Sequence, residues 1–355
     1  MIIYHDEEFG FYEIFNEKNG TLIRGDDSLG QDPVMRAYPE LLDVGIMGFC
    51  DNQTWCQQAG IDCYQKGGVN HSEHMSVEDF EKIARQSAGK TFQIALGGAG
   101  DPNKHPCFEE ILSICRYYNI VPNITTSGKG ITEKEIQLIK EYCGAVAVSW
   151  YSRLIDGIES NRDTLNAVNS LKDAGCLTNI HYVVSRDTID EAVIRLATNQ
   201  FPLGINAVIF ILYKPVGYGK DEKKIRYGNP NLNAFMESVL KCHPYRIGFD
   251  TCFTSALVDH LGIVPKESID ACEAATFSMY IDSNLNCYPC SFGLWKEGAS
   301  VSCKDKSIRE VWNSEKFNKF REMRKSCIDC KSSSICRGGC MLNLGIELCD
   351  QKGKE

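Results

Sequence analysis

The sequence predicts an α/β fold followed by a small cysteine-rich module, and two observations carry that expectation. Six short apolar, β-branched runs alternate with segments of helical period between residues 41 and 213, the pattern of parallel βαβ units. After about residue 250 the alternation stops, and ten of the 18 cysteines fall in the last 104 of 355 residues. At ~100–200 residues per domain the length accommodates two to three units. The expected divisions are a lead-in at 1–40, the alternating region at 41–250 and the cysteine-rich module at 251–355.

The elements follow in order. In the lead-in, FYEIF and TLIRG flank Asn19-Gly20, a type I′ hairpin signal. Strand candidates then fall at 41–49, 92–96, 120–125, 145–151, 177–184 and 205–213. Between them, Ser76 and Thr132 open helices with a capping-box pattern, and Gly144 closes the second. Further helices are expected at 108–118, 162–175 and 189–197. Residues 217–230 read as a polar loop, and RIGFD near residue 250 as a candidate seventh strand. The last module offers a hairpin-like run at 277–290 and a helix at 308–325, with Trp312, Phe317 and Phe320 at helical spacings. Repeated right-handed crossovers produce an open doubly wound sheet or a full or partial barrel, and in each the chemistry sits at the carboxyl ends of the strands.

Composition narrows the function classes. Acidic residues outnumber basic ones by 47 to 38 for a net charge of −9, so no nucleic-acid partner is expected. The longest clean apolar run, Ala207 to Tyr213, is far shorter than the roughly 18–20 residues of a bilayer span, so no membrane is expected either. The N-terminus lacks the basic-then-apolar pattern of a secretory signal. A chain this long needs no disulfides to compensate for a small core. The expectation is therefore a cytoplasmic protein whose thiols stay free or bind metal.

Read at their carboxyl ends, the strands run into Cys50, Cys56 and Cys63; into Gly97, Gly98, Gly100 and Asp101; into Thr126 and Ser127; into Ser149; into Ser185 and Arg186; and into Gly217. Near the C-terminus, Cys327, Cys330, Cys336 and Cys340 are separated by two, five and three intervening residues, with Cys349 following. Four cysteines in so short a run point to an iron–sulfur or zinc centre, because thiolates are soft ligands. A zinc ribbon built from Cys287, Cys290, Cys327 and Cys330 is the alternative, and it strands Cys336, Cys340 and Cys349. Cys107, Cys115, Cys143 and Cys176 lie in or beside predicted helices and read as packed small hydrophobes, and His71 and His74 as loop residues.

Cys272, Cys290, the spaced quartet and Cys349 resemble the seven-cysteine pattern of SPASM modules, which follow radical SAM barrels. Leu285 stands where that pattern usually has glycine. The resemblance, from about residue 40 to 349, implies a partial (β/α)6 barrel of the TIM type with the SPASM module after it. It implies that Cys50, Cys56 and Cys63 hold a [4Fe-4S] radical SAM cluster, although their gaps of five and six residues are wider than the usual three and two. It also implies two auxiliary [4Fe-4S] clusters. One would rest on Cys327, Cys330, Cys336 and Cys349; the other on Cys272, Cys290 and Cys340, with Cys252 the first choice for a fourth ligand, Cys287 the second and an open iron site the third.

By the same resemblance, S-adenosylmethionine would chelate the open iron of the first cluster. One electron would then release a 5′-deoxyadenosyl radical that abstracts hydrogen. Gly97, Gly98, Gly100 and Asp101 resemble an expanded GGEP motif, Thr126, Ser127, Ser149 and Ser185 occupy places that contact ribose or carboxylate, Arg186 would pair the methionine carboxylate, and Gly217 would adjoin adenine. The implied activity is maturation of a ribosomal peptide precursor by thioether or carbon–carbon crosslinking, epimerisation or oxidation. Flavodoxin or ferredoxin would supply the electron. With forty residues before the first strand, a separate leader-recognition protein or the barrel rim would bind the leader. A radical SAM enzyme acting on a small metabolite and a non-catalytic iron–sulfur or zinc protein are the alternatives. No residue stands out as a catalytic acid or base.

Overall fold

The computed structural model describes residues 1–26, 33–69, 71–260, 268–323, 330–336, 338–343, 345, 346, 348 and 349. The N-terminal segment forms an antiparallel sheet of β1 (Ile2–Asp6), β2 (Phe11–Asn16) and β3 (Thr21–Asp26). The turn between β2 and β3 differs from the expected two-residue type I′ form. Asn16 pairs with Thr21, so four residues make the loop, and Gly20 carries a positive φ (+72°) whereas Asn19 does not. The Asn16 carbonyl accepts the N–H groups of Asn19 and Gly20, which fixes the longer loop.

The expected strands are all present and parallel: β4 (Leu41–Met47), β5 (Gln93–Gly98), β6 (Val121–Thr126), β7 (Val146–Ser149), then, beyond the small β8 (Leu154–Ile155) and β9 (Ile158–Glu159) hairpin, β10 (Thr178–Val184) and β11 (Ala207–Leu212). The candidate seventh strand is β12 (Arg246–Phe249), parallel to β11. At the other edge β13 (Ser278–Ile281) runs parallel to β4, and β14 (Asn286–Tyr288) and β15 (Val301–Ser302) extend it antiparallel. The order is β12-β11-β10-β7-β6-β5-β4-β13-β14-β15, so a strand of the cysteine-rich segment lies against the first barrel strand.

The helices are α1 (Gln53–Gln58), α2 (Val77–Ser87), α3 (Phe108–Tyr117), α4 (Glu133–Tyr142), α5 (Arg162–Asp173), α6 (Ile189–Thr198), α7 (Pro230–Val239), α8 (Thr254–His260), α9 (Ile308–Trp312), α10 (Glu315–Glu322) and α11 (Ser333–Cys336). Ser76 and Thr132 cap α2 and α4 as their spacing predicts, Thr132 in a full capping box. The single helix expected over 308–325 is instead two. Ser314 accepts the Phe317 N–H and caps a new start, so the first helix stops at Trp312; residues 324 and 325 lie outside the described residues.

Leu42, Val44 and Ile46 on β4 are fully buried with Phe80 and Ile83 of α2 in the main core, which makes that strand face the helix-covered one. Asp43, Gly45 and Gly97 therefore point to the barrel interior. The Tyr280 hydroxyl lies where a Gly45 Cβ would be (2.3 Å), so glycine at 45 makes room for a tyrosine from β13. The N-terminal sheet closes the opposite end of the barrel: Phe15 stacks on Phe92 (5.2 Å) beside Val121. Buried Arg36 meets Glu13 at 2.8 Å and lies over the Tyr4 ring (3.9 Å), while its carbonyl accepts the Trp312 indole N–H (2.9 Å). No helix among the described residues is long and apolar enough to cross a membrane.

Candidate iron–sulfur and nucleoside site

The three rim cysteines occupy one loop. Cys50 follows β4, Cys56 sits on α1, and Cys63 lies beyond it. The Cys50 N–H bonds the Gly67 carbonyl (2.8 Å), and the Asn52 N–H points to Cys50 Sγ (3.3 Å). A Cβ at Gly67 would lie 1.9 Å from the Ala99 oxygen and 3.0 Å from the Cys50 Cβ, so only glycine lets the loop fold back on the β5 end. The wide cysteine gaps hold this helix and return turn without separating the thiols electrically. Burial is the main cause that pushes Cys56 up to about 12, and Cys50, Cys63 and the Asp101 carboxylate add to it. Burial likewise raises Cys50.

The other strand ends tie into this loop. Gly98 adopts φ +116° opposite Met47, where a side chain would meet the Met47 oxygen. Gly97 differs: nothing lies within 4 Å of where its Cβ would stand, so its face is open toward the interior. Gly100 packs on the Phe49 oxygen and Cys50. The Asp101 carboxylate accepts the Ser127 N–H (2.6 Å) and hydroxyl (2.5 Å) and, at 3.4 Å, the Asn52 amide, which joins the ends of β5 and β6 to the cysteine loop. Gly217 (φ +65°) presses on the Tyr64 oxygen, and the Tyr218 N–H donates to the Cys63 carbonyl (3.1 Å).

The remaining rim residues are less free. Buried Thr126 accepts the Gly128 N–H (3.1 Å), and the Ser149 hydroxyl meets Tyr151. The Ser185 hydroxyl faces Thr188 and the Asp187 N–H, a turn ahead of α6. Arg186 is exposed and its N–H bonds the Lys223 carbonyl. His74 accepts the Gly48 N–H and stacks on Phe49 (4.4 Å), consistent with a loop-shaping part. Sequence reasoning missed Tyr151, half-buried beside Cys56 and Cys63, and Lys129, whose ammonium lies over Trp55 (5.2 Å) and whose charge favours the Cys56 thiolate. Nothing in their local pattern distinguishes them from strand and loop residues.

Cys252, Cys272, Cys290 and Cys340 form a second gathering. Cys252 follows β12, Cys290 follows β14, and Cys340 comes from the tail. Cys252 and Cys340 share a thiol hydrogen bond that lowers Cys340 to about 6 and raises Cys252. Burial, aided by the Cys272 charge, raises Cys290 to about 12. Cys287 is turned elsewhere: its thiol pairs with Cys303, a diagonal neighbour across β14 and β15. Cys330, Cys336 and Cys349 are described and half-buried, whereas Cys327 lies outside the described residues.

The donor sets suit iron–sulfur clusters. At Cys50, Cys56, Cys252 and Cys290 the thiols resist ionising, and a cationic metal centre relieves that cost. Among the described residues no three His, Cys, Asp or Glu side chains close around a point as ligands of one ion do. A cubane does not require it, because each iron takes its own cysteine.

Residues 272–336 match the family model described as SPASM, an iron–sulfur cluster-binding domain. No curated protein matches the chain. Among solved structures, Streptococcus suis SuiB bound to S-adenosylmethionine is 18% identical at a TM-score of 0.63, covering 89% of this chain and 77% of its own. SuiB bound to the precursor peptide SuiA is 17% identical at 0.69, covering 98% and 97%. The protein anSMEcpe with bound AdoMet is 17% identical at 0.61, covering 86% of each chain. The chain thus has the fold of SuiB and anSMEcpe and carries a SPASM match at its C-terminal end, in keeping with its resemblance to radical SAM proteins with a SPASM module.

Proposed function

We propose that the chain is a radical SAM enzyme that matures a ribosomally made peptide. Cys50, Cys56 and Cys63 hold the catalytic [4Fe-4S] cluster, which supplies, with S-adenosylmethionine, reductive release of a 5′-deoxyadenosyl radical. The observation that carries this reading is the convergence of the β4, β5 and β11 loops on those three cysteines through Gly67, Gly100, Asp101 and Gly217. Asp101 holds the β6 turn through Ser127 and so shapes the wall beside the loop. Gly97 leaves space on the interior face for the methionyl part of the nucleoside. Tyr151 and Trp55, 5.9 Å apart, wall the loop beside Cys56 and limit water there.

Cys252, Cys272, Cys290 and Cys340 hold one auxiliary cluster, with Cys252 as the fourth ligand because Cys287 faces Cys303. Cys327, Cys330, Cys336 and Cys349 hold the other. A peptide substrate is favoured by the fold shared with SuiB, which was solved with its precursor peptide SuiA. A flavodoxin or ferredoxin gives the electron, and either a separate protein or the barrel rim receives the leader.

The test is anaerobic reconstitution with iron and sulfide. Three cubanes give roughly twelve irons per chain. Dithionite with S-adenosylmethionine releases 5′-deoxyadenosine, and replacing Cys50, Cys56 and Cys63 by alanine removes about four irons and all cleavage. Cleavage that survives this replacement overturns the assignment.

A further inference from the structure

Lys214, just after β11, is a fully desolvated cation with a defined direction. Its side chain is 1% exposed, and its ammonium donates to Asp250 (2.5 Å) and to the Leu212 carbonyl (2.9 Å). The ammonium also lies 4.5 Å over the Phe292 ring, and the Phe292 N–H points to Cys290 Sγ (3.4 Å). An ammonium is rarely buried unless it answers a charge, and Asp250, 23% exposed, keeps one side in reach of water. The pair is therefore an oriented dipole rather than a closed neutral contact. The pair lies beside the cysteines: Asp250 stands two residues before Cys252, and Phe292, whose ring the ammonium covers, donates its N–H to Cys290 Sγ.

We propose that Lys214 sets the reduction potential of the auxiliary cluster held by Cys252, Cys272, Cys290 and Cys340, its buried ammonium held beside them by Asp250. This rests on the cluster assignment made above. Reduction adds one electron to an anionic cluster and makes or breaks no bond. A fixed positive charge beside the sulfurs stabilises the reduced form and raises the potential, which net charge and hydrogen bonding to the sulfurs set in such centres. The Asp250 carboxylate, bound to the Leu212 N–H (3.2 Å) as well as to Lys214, positions that charge and partly offsets it.

The experiment is a dithionite titration followed by electron paramagnetic resonance on the full anaerobically reconstituted chain. Cys50, Cys56 and Cys63 are alanine in every sample so that only the auxiliary clusters are read, and the signal lost in Cys340→Ala identifies the relevant one. Lys214→Met shifts its oxidised-to-reduced ratio at least tenfold toward the oxidised form, a fall of ~59 mV for a one-electron couple. Lys214→Arg keeps the ratio near that of the parent. Asp250→Asn shifts it the opposite way, and it reports even where Lys214→Met fails to accumulate. Retained iron with no shift in either neutral variant overturns the proposal. A shift in the same direction for both assigns the pair a packing role and also overturns it. A parent chain without a signal lost on Cys340→Ala removes the cluster assignment itself, and the proposal with it.

Discussion

Gly97 and Gly98 are neighbours on one strand, yet alanine is expected to act on them in opposite ways. At Gly97 a methyl group meets no atom within 4 Å, and the position faces the barrel interior beside the cysteine loop. Gly97→Ala therefore folds and loads iron like the parent. In the site proposed for the nucleoside the methyl takes up part of its space, and overpacking of a fitted contact costs typically about 1–3 kcal/mol. At 1.4 kcal/mol per tenfold, S-adenosylmethionine binds roughly 5- to 150-fold more weakly. At Gly98 the φ of +116° and the Met47 oxygen 2.6 Å from the added Cβ put the strain in the backbone, so Gly98→Ala loses soluble, iron-loaded protein instead. The assay is equilibrium binding of S-adenosylmethionine to each anaerobic variant, with iron counted in the same sample. Unchanged affinity in an iron-replete Gly97→Ala protein refutes the placement of the nucleoside over this strand end.

Three further outcomes follow from other residues. Cys340→Ala loses about four irons per chain while Cys287→Ala loses none, and equal losses would show that Cys287 is a ligand. Arg36→Met removes the 2.8 Å partner of buried Glu13, leaves Arg24 at 3.9 Å and costs about 1–3 kcal/mol, read as a lower urea midpoint; an unmoved midpoint contradicts the role of this pair in seating the N-terminal sheet. Desolvation raises Asp43 from 3.8 to about 7, so the folded chain binds this proton more tightly than the unfolded one. Its contribution to stability is full below about 4 and is lost as pH rises through about 7. Asp43→Asn therefore gains thermal stability over the parent as pH rises across that window, and a gap that stays constant with pH refutes it.

The strands were legible because each carries apolar residues buried on the helix side, as Leu42, Val44 and Ile46 show. The helix starts were legible where a side chain caps the backbone, as at Thr132. The break at Asn313-Ser314 was hidden because Trp312, Phe317 and Phe320 keep a helical spacing across it, while the cap at Ser314 adds a local signal that periodicity does not weigh. The rim was legible as a set of residue types but not as a set of roles. Ser185 and Thr126 carry the hydroxyls expected for ligand contact, yet both bond their own turns. Asp101 reads as a polar rim residue, and only the packed strand order shows it joining β5, β6 and the cysteine loop. Lys214 was least legible, since its partner Asp250 and the Phe292 ring it covers come from distant positions in the chain.

Leu285 shows why a departure from a pattern still carries its physics. The position adopts φ +62°, a left-handed conformation that costs a residue with a Cβ roughly 1–2 kcal/mol and costs glycine almost nothing. The conformation is required all the same, because the Leu285 N–H and carbonyl serve the turn: the first bonds the Asp282 carbonyl, the second accepts the Cys303 N–H. That turn reverses the chain from β13 into β14 and delivers Cys290 beside Cys340. The leucine side chain packs on the core, which offsets the backbone strain by burying apolar surface. The same hairpin lies on β4, and the segment just after it sends the Trp295 N–H to the Tyr64 carbonyl (2.6 Å) and the Phe292 ring to within 5.0 Å of Tyr64. Tyr64 follows Cys63, so the turn that places Cys290 also braces the loop of the barrel cysteines. Cys290 and the barrel cysteine loop are therefore joined across one strand pair, β4 and β13.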